Sequence, residues 1–308
     1  MPELPEVQTI VSELDRKLKN RTIKSVEVNA PKMVAVGPNV VSNRRQVESH
    51  KVTEFIKLLQ GQKVIAVKRR AKLLIFDLSG PLSILAHLKM TGQFIFEDKK
   101  QRKKTKGYYR LINTATAPKE LLPSKHTHVI FCFKDGSTLY FNDLRKFGYL
   151  KLVRDDEMEQ VRELQEYGPE PLGKDFTLSL FFTAVKNRER TTIKQALMDP
   201  KVVAGIGNIY SDEILFRAKI RPTRKVSSLS EKEIKEIYRQ IPIVLKQAIK
   251  AKGSSVGDFV RTDGSWGSMG KFHFVYGRGG EKCKVCGTII KTAKLGGRTA
   301  SYCPKCQK

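Results

Sequence analysis

The sequence has no apolar run long enough to cross a membrane as a helix, since none reaches the ~18 residues that such a span needs. Its first residues are acidic and rich in proline, which is unlike a secretory signal. Internal repeats are also lacking. These absences argue against membrane and secreted proteins, so we expect a cytoplasmic protein with no membrane partner.

Acidic residues are scarce relative to basic ones. The 308 residues include 58 Lys and Arg but only 31 Asp and Glu, which gives a net charge of +27 and a pI of about 9.9. This excess predicts a polyanionic partner. Nucleic acid and an acidic membrane surface both have this charge, and we expect nucleic acid. Hydrophobic residues make up 40% of the chain, so packed cores are expected, and the length is typical of about two domains of ~150 residues.

Cysteine is rare, and four of the five cysteines form one pattern, Cys283-x2-Cys286-x16-Cys303-x2-Cys306. Two such pairs at this spacing are typical of a tetrahedral four-thiolate zinc site, whose single zinc ion would be structural. The alternatives are a pair of disulfides or a redox motif. The fifth, Cys132, lies in an apolar alternation that predicts a buried strand thiol.

Helical periodicity over 5–18 is followed by apolar β-rich segments in the first half of the chain. The predicted strand segments are 22–28, 63–79, 82–96, 127–133, 138–142 and 148–153. A helix followed by such strands indicates a mostly antiparallel β structure, a two-layer β-sandwich with a flanking helix. Six of the eight residues from Lys99 to Lys106 are basic, and we interpret 97–124 as a long, mobile, cationic insertion.

The second half is predicted to be mainly helical, with a Gly- and Ser-rich flexible loop over 253–271. The predicted helices are 157–166, 177–187, 208–218 and 230–252, the last opened by a capping box of Ser230 and Glu233. The fold class is therefore α+β with several domains. The predicted domains are 1–153, 154–275 and 276–308.

The start Met1-Pro2-Glu3 offers an unusual chemistry. Removal of the initiator methionine before proline would expose a secondary amine, and an α-amino group with a pKa of ~7.7–8.0 is partly nucleophilic at neutral pH. A neighbouring carboxyl could protonate a leaving group. Many proteins begin this way, so an ordinary helix start is the alternative.

Five motifs occur together and in order along the chain. They are Met-Pro-Glu-Leu-Pro-Glu-Val at 1–7, His-Leu-Lys-Met-Thr-Gly at 87–92, Asn-Asp-Leu-Arg-Lys-Phe-Gly at 142–148, Gly-Ile-Gly-Asn-Ile-Tyr at 205–210, and the four-cysteine module. In this combination the chain resembles the formamidopyrimidine-DNA glycosylase family of base-excision repair enzymes. The resemblance implies a β-sandwich domain, a helix–two-turn–helix domain and a zinc finger. It also implies excision of oxidised purines followed by lyase cleavage of the strand, on double-stranded DNA with oxidised bases or abasic sites.

The resemblance also assigns roles to residues. It implies that Pro2 is the Schiff-base nucleophile and Glu3 the acid, that Lys72 serves β-elimination, and that Arg298 serves δ-elimination. The sequence pattern predicts that Lys72 lies on a strand. For both Lys72 and Arg298, a plain phosphate contact is the alternative.

The family fills the place of the extruded nucleotide with three side chains, which match Met90, Arg145 and Phe147. Without the resemblance, Met90 and Phe147 would be interpreted as core residues, whereas with it we expect Phe147 to be exposed. Further DNA contacts match family positions at His126, Arg190, Lys194 and Asn208, with Arg145 among them. A surface histidine with no such role is the alternative for His126.

Gly205 and Gly207 are expected to give a turn whose N–H groups meet a phosphate, or else a simple helix cap.

Some features depart from the family pattern. Gln8 replaces a common glutamate, the segments 33–60 and 97–124 are longer than usual, and the sole tryptophan, Trp266, lies in the loop expected to cover the flipped base. Two other functions therefore stay open. One is an endonuclease VIII-type glycosylase for oxidised pyrimidines, and the other is a non-catalytic damage binder that retains Met1. We expect a monomer.

Overall fold

The computed structural model describes residues 1–39, 49–112 and 118–308. Its helices are α1 Leu4–Leu18, α2 Ser49–Leu59, α3 Lys99–Thr105, α4 Arg162–Gln165, α5 Leu178–Lys186, α6 Ile193–Met198, α7 Asn208–Arg217 and α8 Glu231–Lys250. Its strands are β1 Ile23–Val28, β2 Val34–Val36, β3 Val64–Arg70, β4 Leu73–Leu78, β5 Leu82–His87, β6 Gly92–Glu97, β7 Tyr108–Arg110, β8 Lys119–Leu121, β9 Thr127–Phe133, β10 Thr138–Asp143, β11 Tyr149–Arg154, β12 Lys291–Leu295 and β13 Arg298–Tyr302.

The first half of the chain forms two sheets with α1, as predicted. One sheet has the order β1-β9-β10-β6 and is antiparallel throughout, while the other has the order β2-β11-β5-β4-β3. The pair β2–β11 is parallel, and the other strand pairs described are antiparallel, which agrees with the prediction of a mostly antiparallel structure. The predicted runs 63–79 and 82–96 each contain two strands, and α2 and β2 were not predicted.

The core of this half lies between the two sheets and α1. The helix contributes one apolar face with a period near 3.6 residues, as its sequence predicted. That face is Val7, Ile10, Val11, Leu14 and Leu18. Strand residues from both sheets, including Phe76, Phe94 and Phe131, complete the same cluster. Cys132 lies on β9 but is only half-buried, because it belongs to the outer margin of a smaller cluster.

The chain divides into two compact units. The first comprises Met1–Gln165 with Lys252–Ser268, and the second comprises Glu166–Ala251 with Met269–Lys308. The sequence-based domain limits stay a prediction: 1–153, 154–275 and 276–308. The segment 252–268, which lies within the second predicted domain, belongs to the first compact unit.

Two predicted loops have more structure than their sequences indicated. The segment predicted as a loop over 97–124 contains α3, capped by the Asp98 side chain on Gln101 N–H, and the hairpin of β7 and β8. The segment predicted to be flexible over 253–271 is bound to the first unit through Thr262, whose N–H and hydroxyl both bind Glu13. Buried hydrogen bonds therefore hold a segment that was expected to be flexible.

The second unit is helical with a C-terminal β-hairpin of β12 and β13. The predicted capping box of Ser230 and Glu233 opens α8, which continues through Pro242. Helix α6 was not predicted, and the segment 157–166 holds a 3-10 turn followed by the short α4. Within the described residues, no helix is both long and apolar enough to span a membrane.

Gly92 is a position where the fold requires glycine. A Cβ there would lie 2.5 Å from the Leu88 carbonyl oxygen and 2.8 Å from Leu88 Cα. We expect Gly92→Ala to lower the free energy of unfolding by about 1–3 kcal/mol, since backbone must move. A Cβ at Gly257 would have no atom of the described residues within 4 Å, so Gly257→Ala should change the free energy of unfolding by less than ~0.5 kcal/mol. Urea titration measures both variants. Equal effects of the two substitutions would contradict the close approach.

Candidate functional site

The N-terminus is packed into the first unit. Pro2 is buried and Glu3 is 3% exposed. Glu3 precedes α1 and forms a capping box with Glu6, in which the Glu3 N–H donates to Glu6 Oε2 at 2.9 Å. The other oxygen of Glu6 accepts the Ser254 N–H at 2.7 Å. Glu6 thus joins the start of the chain to the segment 252–268.

Several charged groups surround the N-terminal amine. Burial lowers the pKa of the Met1 amine, and the charge of Lys72 lowers it further. The carboxylates of Glu3, Asp258 and Glu6 act in the opposite direction. The Met1 amine is therefore less protonated than in water, and the charges of a lysine and of three carboxylates act on it.

Sheet register gathers two of the five sequence motifs, together with Lys72, at one end of the five-stranded sheet. His87 pairs with Leu73 on β4 and with Tyr149 on β11. The residues next to these partners, Lys72 and Gly148, therefore lie at the same sheet end as the segment after His87. Lys72 lies in the two-residue turn between β3 and β4, whereas the sequence had indicated a strand.

His87 has a structural role at this sheet end. Burial, helped by the charges of Lys89 and Lys72, holds the pKa of His87 well below its usual range. The imidazole is therefore neutral, and its Nδ1 accepts the Lys89 N–H at 2.9 Å. This hydrogen bond fixes the start of the loop that carries Met90.

The turn that carries Arg145 and Phe147 is held by Asp143. Its carboxylate accepts the Gly148 N–H at 2.7 Å and the Arg145 N–H at 3.1 Å, and it also binds the Thr91 hydroxyl. Phe147 is 43% exposed, as expected, and the Arg145 guanidinium lies 4.6 Å from its ring centroid. Since Thr91 follows Met90, which is half-exposed, these bonds bring the three predicted void-filling residues to one surface.

The other predicted DNA-contacting residues lie at varied positions. His126 is half-buried, with Nε2 3.8 Å from Glu120 Oε1. Arg190 is exposed in the turn before α6. Asn208 is the first residue of α7, and its buried Oδ1 has no hydrogen-bond partner among the residues that the structure describes. Gly205 has a φ of +88°, a conformation that favours glycine, and Gly207 is the N-cap of α7.

Lys194 differs from its prediction as a DNA contact. Its side chain is 1% exposed, and its ammonium donates to Asp212 Oδ1 at 2.5 Å and to the Thr299 carbonyl at 3.3 Å. Asp212 in turn accepts the Ser301 N–H at 2.9 Å. Burial raises the pKa of Asp212, and the adjacent ammonium opposes that shift. The pair therefore joins α6 and α7 to β13 instead of facing a phosphate.

The four cysteines of the predicted zinc site converge. Their Sγ atoms lie within 4.8 Å of one another, with 3.4 Å between Cys286 and Cys303 and 4.0 Å between Cys283 and Cys306. Zinc–sulfur bonds of ~2.3 Å in a tetrahedron require sulfur atoms roughly 3.8 Å apart, so the donor set fits one ion. Four thiolates leave no coordination position for a reacting water.

Arg298 begins β13 at the tip of the finger hairpin. It follows Gly296 and Gly297, both with positive φ, and is exposed. A Cβ at Gly296 would lie 2.7 Å from Gln195 Nε2, so the hairpin tip approaches α6 closely. The finger therefore presents Arg298 from a turn that is held against the helices of its own unit.

Comparison with known proteins assigns the chain to a family. Family models match three segments: the formamidopyrimidine-DNA glycosylase N-terminal domain over 1–150, the H2TH domain of the same enzymes over 167–260, and the zinc finger found in FPG and IleRS over 280–308. The formamidopyrimidine-DNA glycosylase of Listeria monocytogenes is 39% identical, with 100% of each chain covered. The chain belongs to the formamidopyrimidine-DNA glycosylase family.

Solved structures of formamidopyrimidine-DNA glycosylases agree with this assignment. The Lactococcus lactis Fpg in complex with abasic-site DNA is 32% identical with a TM-score of 0.81, and 100% of each chain is covered. Another complex of that protein, with DNA containing Fapy-dG, has a TM-score of 0.80 at 32% identity, covering 99% of this chain and 100% of that one. The predicted family, fold class and structural zinc finger are confirmed.

Sequence reasoning missed the residues that support the site. Glu6, Glu13, Asp143 and Asp212 are all buried carboxylates that bind backbone N–H groups. The capping pattern of Glu3 and Glu6 was a local signal for the first of these. The others bind groups distant in sequence or within a turn that local propensity does not specify.

The Lys194–Asp212 pair yields a test. We expect Lys194→Met to lower the free energy of unfolding by about 3–5 kcal/mol, because it leaves a buried carboxylate unpaired. The double variant Lys194→Met/Asp212→Leu should lose much less, since neither charge remains. Urea unfolding followed by far-ultraviolet circular dichroism measures both, with exposed Lys232→Met as the control. Additive losses in the double variant would contradict a coupled pair.

Proposed function

We propose that this protein is a DNA repair glycosylase that excises oxidised purines, 8-oxoguanine and formamidopyrimidines, and then cleaves the strand by β,δ-elimination. The observation that carries the proposal is the start of the chain, where Pro2 and Glu3 are buried and the charges of Glu3 and Lys72 act on the Met1 amine. Nucleophile, acid and cation are thus available in one unit. Family membership supports the same reaction.

The reaction begins once Met1 is removed and Pro2 presents its secondary amine. The neutral amine attacks C1′ of the damaged nucleotide, and the base leaves with its bonding electron pair and takes up the proton that the amine loses. The Glu3 carboxyl protonates the sugar ring oxygen as its bond to C1′ breaks, and the nitrogen lone pair forms the iminium. The iminium acidifies C2′, so a proton is lost there and the 3′ phosphate is eliminated. We assign β-elimination to Lys72 and δ-elimination to Arg298.

Extrusion of the damaged nucleotide leaves a gap in the duplex that must be filled. We assign this task to Met90, Arg145 and Phe147. The exposure of Phe147 and the rigid Asp143 turn support the assignment, because a wedge must be presented outside the core without collapsing onto it. The Arg145 guanidinium then donates hydrogen bonds to the unpaired base on the opposite strand.

Contacts to the DNA backbone come from both units. We assign them to His126 in the first unit and to Arg190 and Asn208 in the second, with Gly205 and Gly207 shaping the turn before α7. Lys194 is excluded from this set because its ammonium is buried. The zinc finger, held by its four thiolates, supports Arg298. We further propose that the protein is a cytoplasmic monomer.

Two other functions can be separated from this one. An oxidised-pyrimidine glycosylase would cut a thymine glycol duplex in preference to one with 8-oxoguanine opposite cytosine. A non-catalytic damage binder would keep Met1 and bind both duplexes without cutting either. Resolution of intact strand, β-product and δ-product on both duplexes distinguishes the three functions, and a mass measurement of the N-terminus identifies the reacting form.

The nucleophile is tested by trapping. We expect borohydride to link processed protein to abasic or 8-oxoguanine DNA through Pro2, since it reduces the iminium to a stable amine. Pro2→Gly should slow base excision strongly, and Glu3→Gln should reduce it by at least ~100-fold, as for loss of a general acid. Exposed Glu27→Gln is the matched control. A peptide map that places the link on a lysine, with full activity of Pro2→Gly, would overturn the assignment.

The gap-filling residues are tested with two substrates. Phe147→Ala or Met90→Ala should lower excision from an 8-oxoguanine duplex by roughly 5- to 100-fold, because stacking of an aromatic ring on a base contributes ~1–3 kcal/mol. Cleavage of a pre-formed abasic site should fall less. Ile65→Ala, at a similarly exposed position in the same unit, is the control. Equal losses on both substrates with a lower melting temperature would instead mark core residues.

A further inference from the structure

A groove on the first unit includes Trp266, from the loop that the sequence places over the flipped base, but none of the side chains assigned to the reaction or to gap filling. It encloses about 570 Å³ between α3, β7 and the segment 263–266. Its lining residues are Gln101, Lys104, Thr105, Tyr108, Tyr109, Arg110, Lys119, Asp263, Gly264, Ser265 and Trp266. None of these residues belongs to the N-terminal cluster or to the Met90, Arg145 and Phe147 surface, so the groove needs an explanation of its own.

The floor of the groove is rigid. Tyr109 is buried in a cluster with Leu111, Leu122 and Val260, which joins the insertion to the sheet and to the segment 252–268. The hydroxyl of Tyr109 lies 3.4 Å from Glu97, and the ring packs against Gly264, where a Cβ would lie 3.2 Å from Tyr109 Cδ1. The groove is therefore formed before any ligand binds.

Two aromatic rings are accessible at the groove. Tyr108 is 48% exposed and Trp266 is 44% exposed, although large aromatic rings usually lie inside. The Arg110 guanidinium lies 5.4 Å from the Trp266 ring centroid. A ring beside a guanidinium is suited to a ligand with a flat face and a negative charge.

The charge around these rings is positive. Lys104, Arg110 and Lys119 line the groove, and no carboxylate in the described part of the chain forms an ion pair with any of them. The single acidic lining residue, Asp263, is engaged by the Ser265 N–H at 3.0 Å and the Ser265 hydroxyl at 2.5 Å. The groove therefore favours an anion that also carries flat rings.

We propose that this groove is a second nucleic-acid site, which binds an unpaired, undamaged stretch of a strand. Bases would stack on Trp266 and Tyr108, while phosphates meet Arg110, Lys104 and Lys119, since sites for single strands combine aromatic platforms with cations. Paired bases in a duplex cannot offer their faces to these rings. The site does not depend on the glycosylase reaction proposed above.

The sole tryptophan makes the site directly observable. Titration of the full chain with an oligothymidine of about eight nucleotides, within the ~4–16 that such sites accommodate, should quench Trp266 fluorescence in a saturable manner. A duplex of the same length should quench much less. Labelled oligothymidine should give the same Kd by anisotropy.

Variants locate the contacts. Tyr108→Ala and Arg110→Gln should each raise the Kd at least about five-fold, the lower end of the range for one stacked base. Lys104→Gln should reduce the slope of log K against log salt by about 0.7, as for one phosphate contact on a single strand. Lys57→Gln, which removes an exposed charge on α2 of the same unit, should change the Kd less than two-fold.

Three results would overturn the proposal. They are binding by anisotropy with no change in Trp266 fluorescence, unchanged affinity in folded Tyr108→Ala and Arg110→Gln, and equal quenching by polyglutamate, which would indicate a general polyanion surface. Strand cleavage on an 8-oxoguanine duplex is a separate readout. A protein that cleaves nothing but still shows the titration would contradict the glycosylase proposal alone.

Discussion

Buried carboxylates that accept backbone N–H groups hold the loops on which both units depend. Glu6 binds Ser254, Glu13 binds Thr262, Asp143 binds Gly148, and Glu213 accepts three successive N–H groups at 274–276. A carboxylate without partners in a protein interior costs several kcal/mol. If one of these loops moved away, its carboxylate would stay buried without a hydrogen-bond partner. This cost fixes the loops although they contain little helix or strand.

The burial of these carboxylates also affects the surface charge. The chain has only 31 acidic residues, and several of them are buried as loop anchors, whereas most lysines and arginines remain outside. The surface is therefore more cationic than the net charge of +27 alone indicates. Among the described residues, Lys194 and Lys151 are buried lysines, and their charges are balanced by Asp212 and Glu163. The place of Lys194 in the interior links the finger hairpin to the helices.

The segment 252–268 connects the two candidate nucleic-acid surfaces of the first unit. Its start is bound to Glu6, beside the N-terminal amine, and its far end carries Trp266 beside Arg110. The Glu13 contacts hold the middle. Because one anchored segment contributes to both surfaces, the N-terminal amine and the aromatic groove share a support, although different side chains form them.

The sequence by itself determined the elements whose signals are local or exact. The periodicity of α1, the capping box of α8, the cysteine spacing and the five ordered motifs were sufficient for the fold class, the zinc finger and the family. Tertiary structure alone decided that Lys194 is buried, that 253–271 is anchored, and that α6 forms. The physical reason is that burial and long-range hydrogen bonds depend on partners distant in sequence. The positions of Lys194 and Asp212 in the sequence do not indicate that tertiary packing buries both side chains.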